Sequence, residues 1–281
     1  MKSCIIFACT IITEQRLFVL HKFLDAFKES FNDADVYIGI NPVSLPYIED
    51  IINQSGLNIM YMDRCSESMY AHSDASAYQS ALTGLYDSKK TYDKYWFVHT
   101  KSGVNDYSDY LRDWYINNFL SNRLEIETFI NSNPGIGSYG MLGLEFDETR
   151  IYNETDCDID IFKNSLTADL PYTHANFFYI HSIYVIDKYP MQTFFKLVSD
   201  TWFHTKLDRY YFEGVFPFIV SRSGYFPYLA NRYSCSFIDL QPYIEHWIDT
   251  NNLEKYKKYI NIFKTNFTFK QLHPPYVNSN T

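Results

Sequence analysis

Hydrophobic and polar positions in the first hundred residues alternate between strand-like and helix-like segments. Continuous apolar runs rich in β-branched side chains, such as 3–12, are typical of buried parallel strands. Apolar residues repeated every three or four positions, as over 14–31, are typical of one helix face. These patterns predict strands at 3–12, 34–40, 57–62 and 94–100, and helices at 14–31, 45–54 and 73–86. Their alternation predicts an α/β fold with a mostly parallel central sheet flanked by helices.

The rest of the chain has a less regular pattern. One long or two short helices are predicted over 109–132, strands at 138–146 and 176–181, and helices around 191–202 and 211–221. Residues 147–170 are polar and irregular. Because no internal repeat or linker interrupts the pattern, we predict a single domain over 1–270, followed by a flexible tail at 271–281.

Composition excludes several classes of protein. A net charge of −9 argues against nucleic acid as a partner, because phosphate backbones are bound by basic surfaces. The five cysteines have no C-x-x-C spacing and an odd count, so neither a disulfide framework nor a zinc site is expected. The longest apolar run, 4–12, is about half the length of a membrane-spanning helix, and no cleavage site of small residues follows it. We therefore expect a soluble, cytoplasmic protein without a transmembrane segment.

Common nucleotide-binding and hydrolase motifs are absent from the sequence. The first strand continues into 10–16 without the glycines that let a Rossmann turn approach a pyrophosphate. There is neither a P-loop nor a G-x-S-x-G nucleophile elbow. The pattern favours an α/β fold that binds its ligand without a glycine cradle.

The most informative motif ends the fourth predicted strand. Ligands of open α/β sheets bind outside the carboxyl ends of the strands, where His99, Thr100 and Lys101 are placed. This motif is followed by Arg112 and by the segments 134–140, 172–180 and 209–217. In this order, over residues 3–225, they resemble rhamnan-synthesis F-type glycosyltransferases and related viral or bacterial polysaccharide glycosyltransferases.

The resemblance implies a single-domain GT-A fold, that of the nucleotide-diphospho-sugar transferases. It divides the domain into a nucleotide-sugar-binding half at 1–108 and an acceptor-binding half at 109–270. As the glycosidic bond breaks, the diphosphate leaving group gains negative charge, which positively charged side chains must stabilise. The side chains expected to bind that diphosphate are His99, Thr100, Lys101 and Arg112.

Most GT-A enzymes hold a divalent metal with an Asp-x-Asp at this strand end, which the sequence lacks there. We therefore assign no metal ligands, and Mn²⁺ or Mg²⁺ stays an alternative. The acidic run 156–160 matches Asp-x-Asp only superficially, because three acidic residues at every second position are more typical of a solvated loop.

Five further residues are candidates for donor contacts. Asp63 and Arg64, at the end of the third predicted strand, would contact the nucleoside or only cap the strand. Thr10, near the end of the first strand, would hydrogen-bond the base. Ser73 and Asp74 open a helix of small residues that permits close approach of the nucleotide, although both residues are also good N-caps.

The acceptor side is predicted from the second half. Glu213 is the candidate general base for the acceptor hydroxyl in an inverting transfer; alternatively it only pairs with Arg209, one helical turn earlier. His174 and Asn176 are candidates for acceptor binding. The sequence thus predicts a glycosyltransferase that moves a sugar from a nucleotide donor, with UDP as the first choice, to a glycan or glycoprotein. A non-catalytic nucleotide- or sugar-binding protein of the same fold is the alternative, which the missing Asp-x-Asp keeps open.

Overall fold

A computed structural model describes residues 1–65, 74–100, 112–113, 115–142, 180–198, 220 and 226–231. The strands are β1 (Ser3–Cys9), β2 (Asp35–Ile40), β3 (Asn58–Arg64), β4 (Lys94–His99), β5 (Ile136–Leu142), β6 (Ile180–Asp187) and β7 (Phe226–Asn231). The α-helices are α1 (Leu17–Ser30), α2 (Ile48–Asn53), α3 (Ala75–Ser88), α4 (Arg123–Ser132) and α5 (Lys188–Leu197). A 3₁₀ turn at Glu14–Arg16 precedes α1, and a π-helical turn at Ile116–Leu120 precedes α4.

These seven strands form one mixed sheet in the order β3-β2-β1-β4-β6-β5-β7. Strands β1 to β4 pair in parallel with one another, and β5 pairs in parallel with β7. Strand β6 is antiparallel to both of its neighbours, β4 and β5. The predicted α/β architecture with a sheet flanked by helices is therefore confirmed, and a single sheet contains strands from both predicted halves. The antiparallel direction of β6 was not predicted.

The core lies on both faces of the interior strand β1, in which every residue is buried. Phe7 belongs to an apolar layer formed with α1, α2 and α4, and it packs edge-on against Phe27 at a centroid distance of 5.1 Å. Ile6 belongs to the opposite layer, formed with α3 and α5. Because helices cover both faces of β1, neither face of this strand meets solvent. This burial explains the continuous apolar run in its sequence.

The chain reverses its direction across the sheet after β3. It first runs outward from β1 through β2 to β3, and it then returns to place β4 on the other side of β1. Because crossovers are right-handed, this reversal puts α3 on the face opposite to α1 and α2. Strands β1 and β4 therefore flank the topological switch point, the position where α/β sheets open a crevice for ligands.

Glycine on β2 lets α3 pack directly on the sheet. A Cβ atom at Gly39 would overlap the backbone carbonyl of Ala77, near the start of α3. A Cβ atom at Gly84, near the other end of α3, would overlap the ring of Tyr61 on β3. The absence of a side chain at Gly39 thus fixes the amino end of α3 close to the carboxyl end of β2.

Several boundaries differ from the predicted ones. Asp63 and Arg64 lie within β3 instead of following it. Strand β6 continues to Asp187, so the predicted strand at 176–181 overlaps only its beginning, and 176–179 lie outside the described residues. Strand β7 was not predicted; it contains Pro227, which is tolerated there because β7 is at the edge of the sheet formed by the described residues. Among the described helices, none is both long and apolar enough to cross a bilayer.

Candidate functional site

Two threonines join the carboxyl ends of β1 and β4 at the switch point. Thr10 directly follows β1 and Thr100 directly follows β4, and both are fully buried. The backbone N–H of Thr10 donates to Thr100 Oγ1 at 2.9 Å, and Thr100 Oγ1 donates back to the carbonyl oxygen of Thr10 at 3.1 Å. The Thr100 side chain therefore continues the pairing of the two strands one residue beyond the sheet.

Asp74 crosses from α3 to this edge and contacts both strands. Its Oδ1 accepts a hydrogen bond from Thr10 Oγ1 at 2.9 Å, and its Oδ2 lies 2.6 Å from His99 Nδ1. Asp74 occupies the N-cap position of α3, but its side chain makes no capping hydrogen bond. The carboxylate is thus directed to the switch point and not to the helix backbone, which disfavours the interpretation of Asp74 as a simple N-cap.

His99 is held in one orientation by this contact. Its side chain is about one-tenth exposed, and its ring lies edge-on to Tyr78 with the centroids 6.1 Å apart. An ionised carboxylate only accepts hydrogen bonds, so Nδ1 of His99 carries the hydrogen in the contact with Asp74. Four of the predicted donor-binding residues therefore meet at one place; Thr10, Asp74, His99 and Thr100 are called the switch-point cluster below.

Arg64 has a different set of partners. Its guanidinium makes a two-pronged ion pair with Glu49 on α2, with both N···O distances at 2.6 Å. It also donates to the carbonyl oxygens of Ser44 and Leu45 at 2.7 and 2.8 Å. The hydrogen bonds from Arg64 to Glu49 hold the pKa of Glu49 below its ordinary value. These four hydrogen bonds join Arg64 to α2 and to the loop after β2, which supports a structural role.

Asp63 also lies apart from the cluster. Its side chain is exposed and accepts a hydrogen bond from Ser80 Oγ on α3 at 3.2 Å. Because Asp63 and Arg64 are neighbours in a strand, their side chains point to opposite faces of the sheet. The structure therefore does not bring this pair together with Thr10, Asp74, His99 and Thr100.

Sequence reasoning missed the residues that shape the loop after β2. The side-chain oxygen of Asn41 accepts from the N–H of Val43 at 3.2 Å, and the Asn41 N–H donates to the carbonyl oxygen of Cys9 at 2.8 Å. Ser44 Oγ accepts from the N–H of Ile11 at 3.1 Å. The Asn41-Pro42 dipeptide, a common turn signal, could have identified this loop. These contacts extend the carboxyl edge of the sheet beside Thr10.

The two cysteines near this edge are not candidate nucleophiles. Burial, and then the negative charge of Asp74, raise the pKa of the Cys9 thiol well above its ordinary value. Burial, and then the charge of Asp63, raise the pKa of Cys65 to about 11. Both thiols are therefore protonated near neutral pH, and neither supports a thiolate mechanism.

The remaining predicted site residues are only partly described. Arg112 lies in a helical segment, and its side chain is buried with 2% exposure. Its neighbour Asp113 pairs with Lys22 on α1 at 2.6 Å. The predicted residues Ser73, Lys101, His174, Asn176 and Glu213, and the acidic run 156–160, lie outside the described residues. Within the described part of the chain, no group of three or more His, Cys, Asp or Glu side chains is arranged to hold a metal ion.

The fold and the cluster define an α/β protein with a polar group at the switch point of its sheet. Comparisons with known proteins do not narrow this class, because no family model matches the chain and a search of the curated proteins gives no significant match. The functional argument therefore depends on the chemistry of the site.

Proposed function

We propose that the protein is a glycosyltransferase that moves a sugar from a nucleoside diphosphate donor to a glycan or glycoprotein. A UDP-sugar is the donor to test first. The observation that carries the proposal is the convergence of Thr10, Asp74, His99 and Thr100 at the switch point. It supports the motif resemblance, because the His-Thr-Lys motif begins where an α/β sheet binds its ligand.

The cluster offers groups that suit a nucleoside diphosphate. The Asp74 carboxylate is a strong acceptor, which matches the hydroxyl groups of a ribose or the N–H of a base. Helix α3 begins at Ala75 beside it, and the backbone N–H groups and dipole of a helix amino end favour negative charge. Lys101 is the next residue after Thr100 in the chain and would supply a fixed cation for the phosphates.

The chemistry requires a base and charge stabilisation. The acceptor hydroxyl attacks the anomeric carbon and gives its proton to a carboxylate, for which Glu213 is the candidate. The bond from the anomeric carbon to the phosphate oxygen breaks with its electron pair, and the nucleoside diphosphate leaves with added negative charge. Lys101, with Arg112 as a second candidate, would stabilise that charge.

A thermal-shift experiment tests donor binding. The purified protein is heated with UDP-, GDP- or dTDP-glucose, with and without Mn²⁺, because a ligand of the folded state raises Tm by mass action. One nucleotide is expected to raise Tm, and Lys101→Ala is expected to abolish the rise. Lys206→Ala is the matched control, since 204–206 repeats the His-Thr-Lys tripeptide elsewhere in the chain. If none of these nucleotide sugars raises Tm, the proposed donor class is wrong.

Hydrolysis separates catalysis from binding. Transferases with a bound donor hydrolyse it slowly when water replaces the acceptor, so release of UDP from UDP-glucose is expected. Glu213→Ala is expected to reduce this release without removing the Tm shift, because the proposed base does not hold the donor. Binding without any release would favour a non-catalytic nucleotide-sugar-binding protein.

A further inference from the structure

Thr10 lies at the switch point but is not exposed there. The residue is fully buried, whereas the side chain of Asp74 is 24% exposed. Thr10 Oγ1 donates its only hydrogen to Asp74 Oδ1 at 2.9 Å, because an ionised carboxylate can only accept. A ligand at the carboxyl edge of the sheet therefore has access to the side chain of Asp74 but not to the hydroxyl of Thr10.

Thr100 holds the main chain of Thr10 on both sides of its Cα atom. In the described residues, the main-chain ladder between β1 and β4 ends with the bond from the N–H of Thr100 to the carbonyl oxygen of Ala8, at 3.1 Å. Further along a parallel ladder, the N–H and carbonyl groups of Thr10 would pair with the main chain of the neighbouring strand. Here both groups bond to Thr100 Oγ1, at 2.9 and 3.1 Å. Because β-branched side chains have restricted χ1 angles, a fixed main chain also restricts the direction of the Thr10 hydroxyl.

The two oxygens of the Asp74 carboxylate contact different strand ends. Oδ1 accepts the hydrogen bond from Thr10, after β1, and Oδ2 lies 2.6 Å from Nδ1 of His99, on β4. The side chain makes no capping hydrogen bond to α3, so a helix cap does not orient the carboxylate. Removing the Thr10 hydroxyl therefore removes the contact described for Oδ1.

We propose that Thr10 is a positioning residue for donor binding: its hydroxyl, held by Thr100, orients the Asp74 carboxylate toward the ribose hydroxyls or the base N–H of a nucleotide sugar. This inference rests on the proposed function, since it assigns an indirect role in the same donor-binding step. It differs from a direct hydrogen bond between Thr10 and the base, because only the indirect role depends on Asp74.

Substitution of Thr10 by valine and by serine tests the hydroxyl. Valine is close to threonine in shape but cannot donate to Asp74, whereas serine keeps the hydroxyl. Affinity is measured by isothermal titration calorimetry, well below the Tm of each variant, with whichever of UDP-, GDP- and dTDP-glucose raises the Tm of the wild type. Thr10→Val is expected to bind about fivefold more weakly or worse. Thr10→Ser is expected to stay within about twofold of the wild type.

Thr83→Val is the matched control. Thr83 Oγ1 donates to the carbonyl oxygen of Gln79 at 2.9 Å, so this variant also loses one hydroxyl hydrogen bond. Thr83 lies within α3 and not at its amino end. Its affinity for the nucleotide sugar is expected to equal that of the wild type, which separates the loss of the Asp74 partner from the loss of any hydroxyl.

A double-mutant cycle with Asp74→Ala distinguishes positioning from direct contact. If Thr10 acts through Asp74, Thr10→Val should change the affinity of the Asp74→Ala variant by less than about twofold, because the oriented carboxylate is already missing. A direct hydrogen bond from Thr10 to the donor would give the same loss in both backgrounds. A merely structural effect of Thr10→Val, independent of Asp74, would also give equal losses.

The position of the carboxylate is a second measurement, which does not depend on affinity. In crystal structures of the free variants, the Asp74 side chain is expected to keep its orientation in Thr10→Ser and to rotate in Thr10→Val. These structures decide the orienting role if Asp74→Ala binds too weakly for the cycle.

The outcomes separate this inference from the proposed function. The inference is overturned, with donor binding intact, by unchanged affinity in Thr10→Val, by equal losses in the two backgrounds of the cycle, or by an Asp74 carboxylate that stays in place in Thr10→Val. Absence of binding of all three nucleotide sugars to the wild type overturns the proposed function, and the positioning role in donor binding with it.

Discussion

Both ends of the sheet hold buried polar side chains, but the partners at the two ends differ in kind. At the amino end, Glu127 on α4 accepts hydrogen bonds from Ser3, Trp96 and Arg123 at 2.7, 2.9 and 3.1 Å. At the carboxyl end, the partners described for Asp74 are a threonine hydroxyl and an imidazole. The carboxylate at the amino end is thus paired with a guanidinium of fixed charge, whereas the partners described for the carboxylate at the other end include a hydroxyl and an imidazole, groups that commonly bind ligands.

A second buried charge at the amino end of the sheet is also paired with an opposite charge. Lys94, the first residue of β4, is 2% exposed and pairs with Asp187 at 2.7 Å. This pairing depends on the antiparallel direction of β6, which brings the last residue of β6 to the first residue of β4. Removing one partner of such a buried pair destabilises the fold, because the other charge is left buried without its partner. We therefore expect changes at the amino end to alter stability, and changes at the carboxyl end to alter ligand binding.

The largest effect is expected for Glu127→Ala. Removing this carboxylate leaves the Ser3 hydroxyl, the Trp96 N–H and Nε–H of Arg123 without their shared acceptor, at a cost of about 3–5 kcal/mol in the free energy of unfolding. Urea denaturation followed by circular dichroism measures the loss. Glu125→Ala on the exposed face of α4 is the control and should stay within about 0.5 kcal/mol of the wild type. Equal losses in the two variants would show that the buried network contributes nothing specific.

The second-largest effect is expected for Gly39→Ala, which should lower both the stability of the protein and its binding of UDP-glucose. The added methyl group overlaps the Ala77 backbone and pushes the amino end of α3 off β2, for a cost of about 1–3 kcal/mol. The displacement also moves Asp74 away from the switch point, so the Tm shift with UDP-glucose should be lost. The measurement is the Tm of the variant with and without that nucleotide.

Gly84→Ala is the matched control on the same helix. Its added methyl group overlaps the Cγ end of the Tyr61 ring, so this partly exposed side chain must move as a whole, but no backbone atom is displaced and the substitution also favours the helix. We expect a smaller loss of stability and an unchanged response to UDP-glucose, because Asp74 lies ten residues away. Loss of the nucleotide response in both variants would contradict a local role of Gly39.

The sequence was sufficient for the parallel half of the fold. Continuous apolar runs such as that of β1, and the helical repeat of α1, predict elements that the structure confirms, because burial on both faces leaves a strong pattern. The pattern did not predict the direction of β6 or the existence of β7. Strand direction depends on the connections between elements, and the proline of β7 conceals an edge strand.

The position of the switch-point cluster in the fold could be predicted from the sequence, but the contacts within the cluster could not. The end of β4 identified His99 and Thr100, because a parallel sheet presents its carboxyl edge to a ligand. No local pattern could show that Asp74, 25 positions before His99, would contact it, since that distance is closed only by the packing of α3 on β2. Arg64 illustrates the opposite case, in which a charged residue at a strand end turns inward to fasten a loop.

The third effect is the pH dependence of stability at the amino end. Burial of Asp35 opposes its ionisation, but hydrogen bonds from Tyr92, Lys90 and Lys2 outweigh burial and lower its pKa. A carboxyl group whose pKa is lower in the folded state stabilises the protein above its unfolded pKa of about 4, and this contribution is lost as the pH falls through the folded value. The free energy of unfolding is therefore expected to drop at acid pH.

Asp35→Asn isolates that contribution. The variant should lose about 1–2 kcal/mol at neutral pH, because hydrogen bonds to a charged group are removed, and the difference from the wild type should shrink below about pH 4. Asp25→Asn is the control, since the Asp25 side chain is 66% exposed. Urea denaturation at neutral and acid pH gives the values. A difference that is the same at both pH values would mean that the ionised form of Asp35 is not what stabilises the fold.

The smallest effect is expected for Arg64→Lys. This variant tests whether Arg64 stabilises the fold, like the residues at the amino end of the sheet, or binds the ligand. Lysine keeps the positive charge but loses the planar fork that binds Glu49 with two hydrogen bonds and reaches the carbonyl oxygens of Ser44 and Leu45. Because the ion pair is about one-quarter exposed, we expect a loss of only about 0.5–1 kcal/mol in the free energy of unfolding.

If Arg64 acts only through the loop, the affinity for UDP-glucose measured by calorimetry should change by less than about threefold, whereas loss of a direct charged hydrogen bond to the nucleotide would cost tenfold or more. A tenfold loss of affinity with unchanged stability would therefore return Arg64 to the donor-binding residues and extend the ligand site from β4 across the sheet to β3.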